Sequence, residues 1–241
     1  PIQALSAAKI WVELDSDSIL AHQTIAALLV SSNRVNEAQI YLDRLLDLEG
    51  DSAKFFMQLN NLLARSANKI ETLQLVQQFA KPYSEVPEAH FAIAQAASLA
   101  GQFETARKQM KLALTLRPDW EMAAIYNGRL LRHHVSSESA IEFYDSYLKV
   151  NPKANKARIA FAQMLVAEKN FIMARGQFKQ LLAQSLGDAN VAIAVGLVSI
   201  ELRDLYAAEE SFKKALELGY KDLNTIRFYL GSIYAQTNRL D

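Results

Sequence analysis

Residue types that usually carry out catalysis are sparse and scattered in this sequence. Its four histidines are His22, His90, His133 and His134. His22 and His90 lie far apart in the chain and read as partly buried spacers rather than ligands of one metal. The adjacent pair His133 and His134 points to different sides of a helix or turn, so a shared metal is not expected. Ser136, Ser137 and Ser139 have no base at a spacing that would activate a hydroxyl. Ser136 and Ser137 suit a helix N-cap instead, with Glu138 in the favourable first turn. There is no cysteine, which removes disulfides, thiolate ligands and thiol nucleophiles together. Nor is there a nucleophile elbow, a phosphate loop, an H-E-x-x-H zinc motif or a dinucleotide glycine pattern. The expectation is a chain without catalytic residues, metal or cofactor: not an enzyme.

The chemistry left is binding, and composition bounds what is bound. The chain has 241 residues, with 26 Lys and Arg against 26 Asp and Glu. That balance argues against nucleic acid, which needs a basic excess, and against attachment to anionic lipid. The longest uncharged apolar run, Ala189 to Ile200, is too short to span a bilayer. Hydrophobic residues make up 51%, while Gly (8) and Pro (5) are few. So few turn formers cannot serve an all-β fold, and the chain reads as almost purely helical.

The elements that position any binding surface show up as an internal repeat. In windows of 34 residues starting at Ile19, Ala53, Pro87, Glu121, Asn155 and Ala189, position 20 is Ala38, Thr72, Ala106, Ala140, Ala174 and Ala208. Position 8 is Ala26, Asn60, Ala94, Gly128, Ala162 and Gly196; position 24 is Leu42, Val76, Met110, Tyr144, Phe178 and Phe212. Small residues at 8 and 20 let two antiparallel helices approach closely, and the large residue at 24 fills the remaining gap. Pro118 and Pro152, both at position 32, cannot continue the second helix and end it. Asn33, Gly101, Asn170 and Asn238 fall in or beside the turn between helices, where a left-handed residue is best tolerated. In the third window this predicts helices over about 88–100 and 104–116.

The small-residue and large-residue columns, with A-x3-F at Ala174/Phe178 and Ala208/Phe212, resemble the tetratricopeptide repeat. The resemblance covers essentially the whole chain. It implies an all-α, right-handed superhelical solenoid of antiparallel helix pairs, a single array over 1–241. Six repeats occupy 19–52, 53–86, 87–120, 121–154, 155–188 and 189–223. Residues 1–18 form the second helix of a truncated repeat and 224–241 the first helix of another, as expected of a piece of a longer protein. No repeat has Trp at position 4, and Asn60 with Thr72 makes the second window the most distorted.

In this family first-helix positions 2, 5, 9, 12 and 13 line a concave groove that receives polypeptide. The resemblance therefore implies an apolar ladder of Met57, Phe91, Ile125, Ile159 and Ile193 at position 5, continued by Phe228. Arg129, Arg132 and His133 form a basic patch in the fourth window, with Lys156 at position 2 of the fifth. Gln95 and Gln163 stand at position 9. Phe91, Ile125 and Ile159 are the expected anchors, Arg129 and Arg132 the charged selectors. Chaperone-tail binding is not expected, because position 6, which that clamp fills with Asn in one repeat and Arg in the next, reads Ala92 and Tyr126, and position 5 is never Lys.

The function implied is a protein–protein interaction scaffold or adaptor whose partner is another protein or peptide segment. A second resemblance, carried by Ala7 to Leu14 and the acidic turn after it, is to repeats of proteobacterial periplasmic lipoproteins. It implies an envelope location, attachment through a segment before this chain, and an assembly or protease-adaptor role. Two alternatives are a recognition arm of a larger multidomain enzyme such as a glycosyltransferase, and a scaffold self-associating through its terminal repeats.

Overall fold

The computed structural model describes residues 2–63, 66–184 and 188–239. Among the described residues there are fourteen α-helices and no strand. They are α1 (Ile2–Leu14), α2 (Ile19–Ser31), α3 (Val35–Glu49), α4 (Ser52–Leu63), α5 (Lys69–Ala80), α6 (Pro87–Leu99) and α7 (Phe103–Leu116). There follow α8 (Glu121–His134), α9 (Ser137–Val150), α10 (Asn155–Ala167), α11 (Phe171–Gln184), α12 (Ala189–Glu201), α13 (Leu205–Glu217) and α14 (Leu223–Gln236). The chain forms two compact units, Pro1–Ala123 and Ala124–Asp241.

Helices pack on their neighbours in sequence and, in the first unit, on the next helix but one. In the first unit α2 meets α3 and α4, and α6 meets α4, α5 and α7. In the second, α10 meets α9 and α11, and α12 meets α11 and α13. Such strictly local packing makes each helix pair depend on its immediate neighbours for burial.

The columns read from the sequence are the core. Ala38, Ala106, Ala140, Ala174 and Ala208 are all fully buried, as are Leu42, Val76, Met110 and Phe212. The contact between columns is direct: a Cβ placed on Gly128 would overlap the Tyr144 ring, and one on Gly196 would stand 2.7 Å from Phe212. Tyr144 then stacks on Phe161 of the next pair at 5.0 Å, and Phe212 on Tyr229 at 5.0 Å. The two departures in the second window are both satisfied. Asn60 Nδ2 donates to the Ala92 carbonyl (3.0 Å) and to Gln95 Oε1 (2.8 Å), and Thr72 Oγ1 donates to the Asn68 carbonyl (2.9 Å).

The turns repeat as closely as the core. Asn33, Gly101, Lys169, Arg203 and Asn238 all have positive φ, and the next N–H reaches back to the carbonyl five residues earlier. Examples are Arg34 to Leu29 (2.9 Å), Asn170 to Leu165 (2.8 Å) and Asp204 to Ser199 (2.9 Å). This satisfies a terminal carbonyl of the first helix and reverses the chain. In the fifth repeat the left-handed residue is Lys169, and Asn170 beside it caps α11 by accepting the Met173 N–H (3.4 Å).

Candidate interaction surface

The helices α10 and α12 present one face each to a trough in the second unit. On α10, Ile159, Gln163 and Val166 follow helical spacing and line a groove of about 420 Å3. Across it stand Asn190, Ala194 and Leu197 of α12, with Phe178 of α11 at its base. The lining is mainly apolar, with Gln163, Asp188 and Asn190 as its polar members, and Leu197 keeps 36% of its surface exposed. A second groove, about 510 Å3, continues past Val166 and Leu197 to Phe171, Ile200 and Tyr229. At the other end Gln163 is shared with a hollow of about 160 Å3 lined by Arg129, Arg132, Tyr144 and Ala160. The result is one apolar strip along α10, α12 and α14 with cations at its α8 end.

The local sequence explains this face. Helix α12 is apolar nearly all round and α10 is so over its second half apart from Gln163, because one side packs into the pair and the other lines the trough. Their partners α11 and α13 turn charged residues outward instead. Position 9 or 12 supplies Arg129, Arg132, Gln163, Val166, Leu197 and Ile200. Leu197, Val166 and Ile200 were within reach of sequence reasoning, since they occupy groove positions; they escape a search that follows position 5 alone.

Position 5 divides. Ile125 and Ile159 are half-buried, as is Met57 in the first unit, whereas Phe91 (3% exposed) and Ile193 (8%) belong to the interior. Phe91 packs against Trp120 with ring centroids 4.9 Å apart, and Trp120 in turn lies under the Arg117 guanidinium at 4.4 Å. Arg117 is fixed by an ion pair with buried Glu88. Ile193 joins Ala208, Phe212 and Ala215 in one cluster. These two therefore belong to the core. Phe228 is 70% exposed on α14.

The cations divide as well. Arg132 is tied by its Nε to Glu168 Oε1 at 2.7 Å, so its charge is answered within the chain. Arg129 is exposed and, among the described residues, makes no ion pair. It lies close enough to Tyr144 to oppose the effect of burial, which nevertheless pushes that phenol up to about 12. Tyr144 is 2% exposed and its hydroxyl donates to the Ile125 carbonyl at 3.4 Å. Lys156 is exposed, on the same face of α10 as Ile159 and Gln163. Gln95 in the first unit is half-buried and spent on Asn60.

The groups with catalytic potential are held by structural bonds. His22 Nδ1 meets the Ser18 carbonyl at 2.9 Å, and His90 Nε2 meets the Ser84 carbonyl at 2.9 Å. His133 and His134 are exposed with ring centroids 6.4 Å apart. Ser136 caps α9 by accepting the Ser139 N–H at 3.1 Å. Arg158 is 4% exposed and, among the described residues, donates to neutral acceptors that include Gln177 Oε1 (2.8 Å) and the Pro152 carbonyl (3.0 Å); burial lowers its pKa. Among the described residues, no three His, Asp or Glu groups converge on a metal position, and no helix is long and apolar enough to cross a membrane.

Comparison with known proteins places this architecture. Residues 87–119 match the family described as Tetratricopeptide repeat. No curated protein matches the chain. Among solved structures, the C-terminal part of a TPR repeat-containing protein from Cytophaga hutchinsonii is 14% identical, with TM-score 0.57 over 78% of this chain and 72% of that one. Yeast Tom70 is 12% identical, with TM-score 0.55 over 99% of this chain and 52% of its own. MamA from Desulfovibrio magneticus RS-1 is 18% identical, with TM-score 0.49 over 72% of this chain and 98% of that one. The likeness is one of fold: helix pairs whose small residues pack under large ones, with residues 87–119 matching one tetratricopeptide repeat.

Proposed function

We propose that the chain is a non-catalytic interaction scaffold, built from the six repeats and two half repeats read in the sequence. Its second unit holds a segment of another polypeptide in the trough over α10, α12 and α14. The observation that carries this reading is the partly exposed apolar strip from Ile159 through Leu197 to Tyr229, bounded at one end by Arg129. An aliphatic surface of this length left in water is unfavourable, and covering it favours binding by about 2 kcal/mol for each large side chain a partner inserts. Two or three such anchors, less the cost of ordering a free segment, correspond to affinities on the order of micromolar. An amphipathic helix or an extended segment with apolar residues on one face has the chemistry required, and an acidic residue at one end would meet Arg129.

Substitution at the trough tests the reading. Leu197→Glu places a charge where a partner's apolar side chain would sit, and is expected to weaken partner capture tenfold or more. Far-UV circular dichroism should not change, since Leu197 is partly exposed. Arg129→Glu should weaken capture less and make it less sensitive to salt. Arg132 is unsuited to this test, because reversing its charge would set two carboxylates against each other at Glu168. Equal capture by wild type and Leu197→Glu would remove the trough as the binding surface.

A further inference from the structure

The hollow at the α8 end of the trough differs in kind from the grooves beside it. Asp188 lines one groove and Glu201 the other, whereas the hollow of about 160 Å3 has, among the described residues, no acidic side chain in its lining. Its polar walls are Arg129 and Arg132 of α8 and Gln163 of α10. The two arginines stand three residues apart and so share a face of α8. Buried Tyr144 and Met164 back the hollow, and such surroundings strengthen any charge pairing made against them. Lys156 is exposed one turn before Ala160, on the stripe of α10 that carries Ala160 and Gln163.

Most of these donors are unused within the chain. Arg132 spends its Nε on Glu168 Oε1 at 2.7 Å, and among the described residues its terminal nitrogens make no hydrogen bond. Arg129, Lys156 and Gln163 make no side-chain hydrogen bond there either, and Arg129 and Lys156 have no ion pair. With Arg132 answered by Glu168, two positive charges are left without a carboxylate partner among the described residues. A carboxylate offers one charge and two coplanar oxygens, and a single guanidinium satisfies it side-on. A phosphate group offers a charge of about −2 and three acceptor oxygens. It is the phosphate that matches two free cations and donors converging from two helices.

We propose that the hollow between α8 and α10 is a binding site for a phosphate group, either a free phosphate ion or a phosphorylated side chain. Arg129 takes the group side-on through two N–H groups, and Arg132 adds a terminal N–H. Gln163 Nε2 donates from the facing helix, and Lys156 supplies the second charge. The site does not depend on the trough reading, because Leu197 lines both apolar grooves but not the hollow.

Arginine Nε–Hε NMR signals of the whole chain, followed while inorganic phosphate replaces chloride at constant ionic strength, test the site. At pH about 7.5 the ion is mostly dianionic. The Arg129 and Arg132 signals should move and saturate, and acetate should bind about tenfold more weakly. Arg129→Gln, read through the remaining Arg132 signal, should weaken phosphate binding about tenfold, the loss of one charge-assisted pairing. Lys179→Gln, exposed on α11 and absent from the lining, should leave it unchanged. Acetate that binds as well as phosphate, a response that never saturates, or equal weakening by Lys179→Gln overturns the proposal. Phosphate added to the polypeptide capture above separates the two sources. Competition with capture in wild type, absent in Arg129→Gln, puts the phosphate group on the bound segment; saturable phosphate binding to which capture is indifferent identifies the free ion. Leu197→Glu should lose capture yet keep the phosphate response. A kept response beside unchanged capture retains this site and removes the trough.

Discussion

Gly176 and Gly196 both sit inside helices, yet their surroundings give opposite predictions. A Cβ on Gly176 would meet nothing within 4 Å, whereas one on Gly196 would press on the Phe212 ring at 2.7 Å. Gly176→Ala should therefore stabilise by about 0.5–1 kcal/mol through backbone entropy. Gly196→Ala should destabilise by about 1–3 kcal/mol through overpacking, despite the same gain in helix propensity. Thermal or urea unfolding of the two variants checks the contrast, and equal shifts would contradict the packing. The distinction was legible in the sequence, because Gly196 falls in the small-residue column and Gly176 does not. What was not legible is the fate of position 5. Phe91 and Ile193 share that column with Ile159, but Trp120 and the Phe212 cluster cover them. Tyr144 gives a second residue-scale prediction. Its phenol is raised to about 12 by burial, above the ordinary value of about 10. A raised value means full stability below pH about 10 and loss as the unfolded chain ionises above it, amounting to about 2 kcal/mol by pH 12. Tyr144→Phe should lack that share of the alkaline destabilisation.

At the scale of the element, the turns show why a helix boundary can be predicted while its residue cannot. The left-handed position recurs at Asn33, Gly101, Lys169, Arg203 and Asn238. Asn and Gly announce it, but Lys169 and Arg203 adopt it against their preference because the repeated backbone bond to the first helix requires it. The residue after Arg203 is Asp204, which ends that turn and begins α13. Its Oδ1 accepts the Ala207 N–H at 3.1 Å and its Oδ2 accepts from Arg175 Nη1 at 2.7 Å. The Ala207 N–H and the guanidinium hold this carboxyl below the usual carboxylate range. A lowered folded value contributes stability above the ordinary pKa of about 4, and that contribution is lost as pH falls through the folded value. Asp204→Asn keeps the cap and removes the charge. At neutral pH it should cost under about 1 kcal/mol, since the pair is partly exposed and screened. Wild type and variant should converge as pH falls below about 4; a constant difference would mean that the ion pair does not contribute.

At the scale of the whole molecule, packing is local, between helices close in sequence, so the repeated first helices can carry a surface that no single pair could form. The helix pairs and their register were plain in the 34-residue spacing. The trough was only half plain, because spacing names the face of α10 and α12 while burial decides which side chains on that face are left open. Leu197 is the residue on which this account turns: it is partly exposed, aliphatic, and common to both apolar grooves. A photo-crosslinking amino acid at position 197 should give a discrete adduct with another polypeptide. The same probe at Ile172, 72% exposed on α11 and absent from the trough lining, should give none. Adducts at 172 with none at 197, or equal adducts at both, would contradict the assignment of the trough as the surface this protein uses.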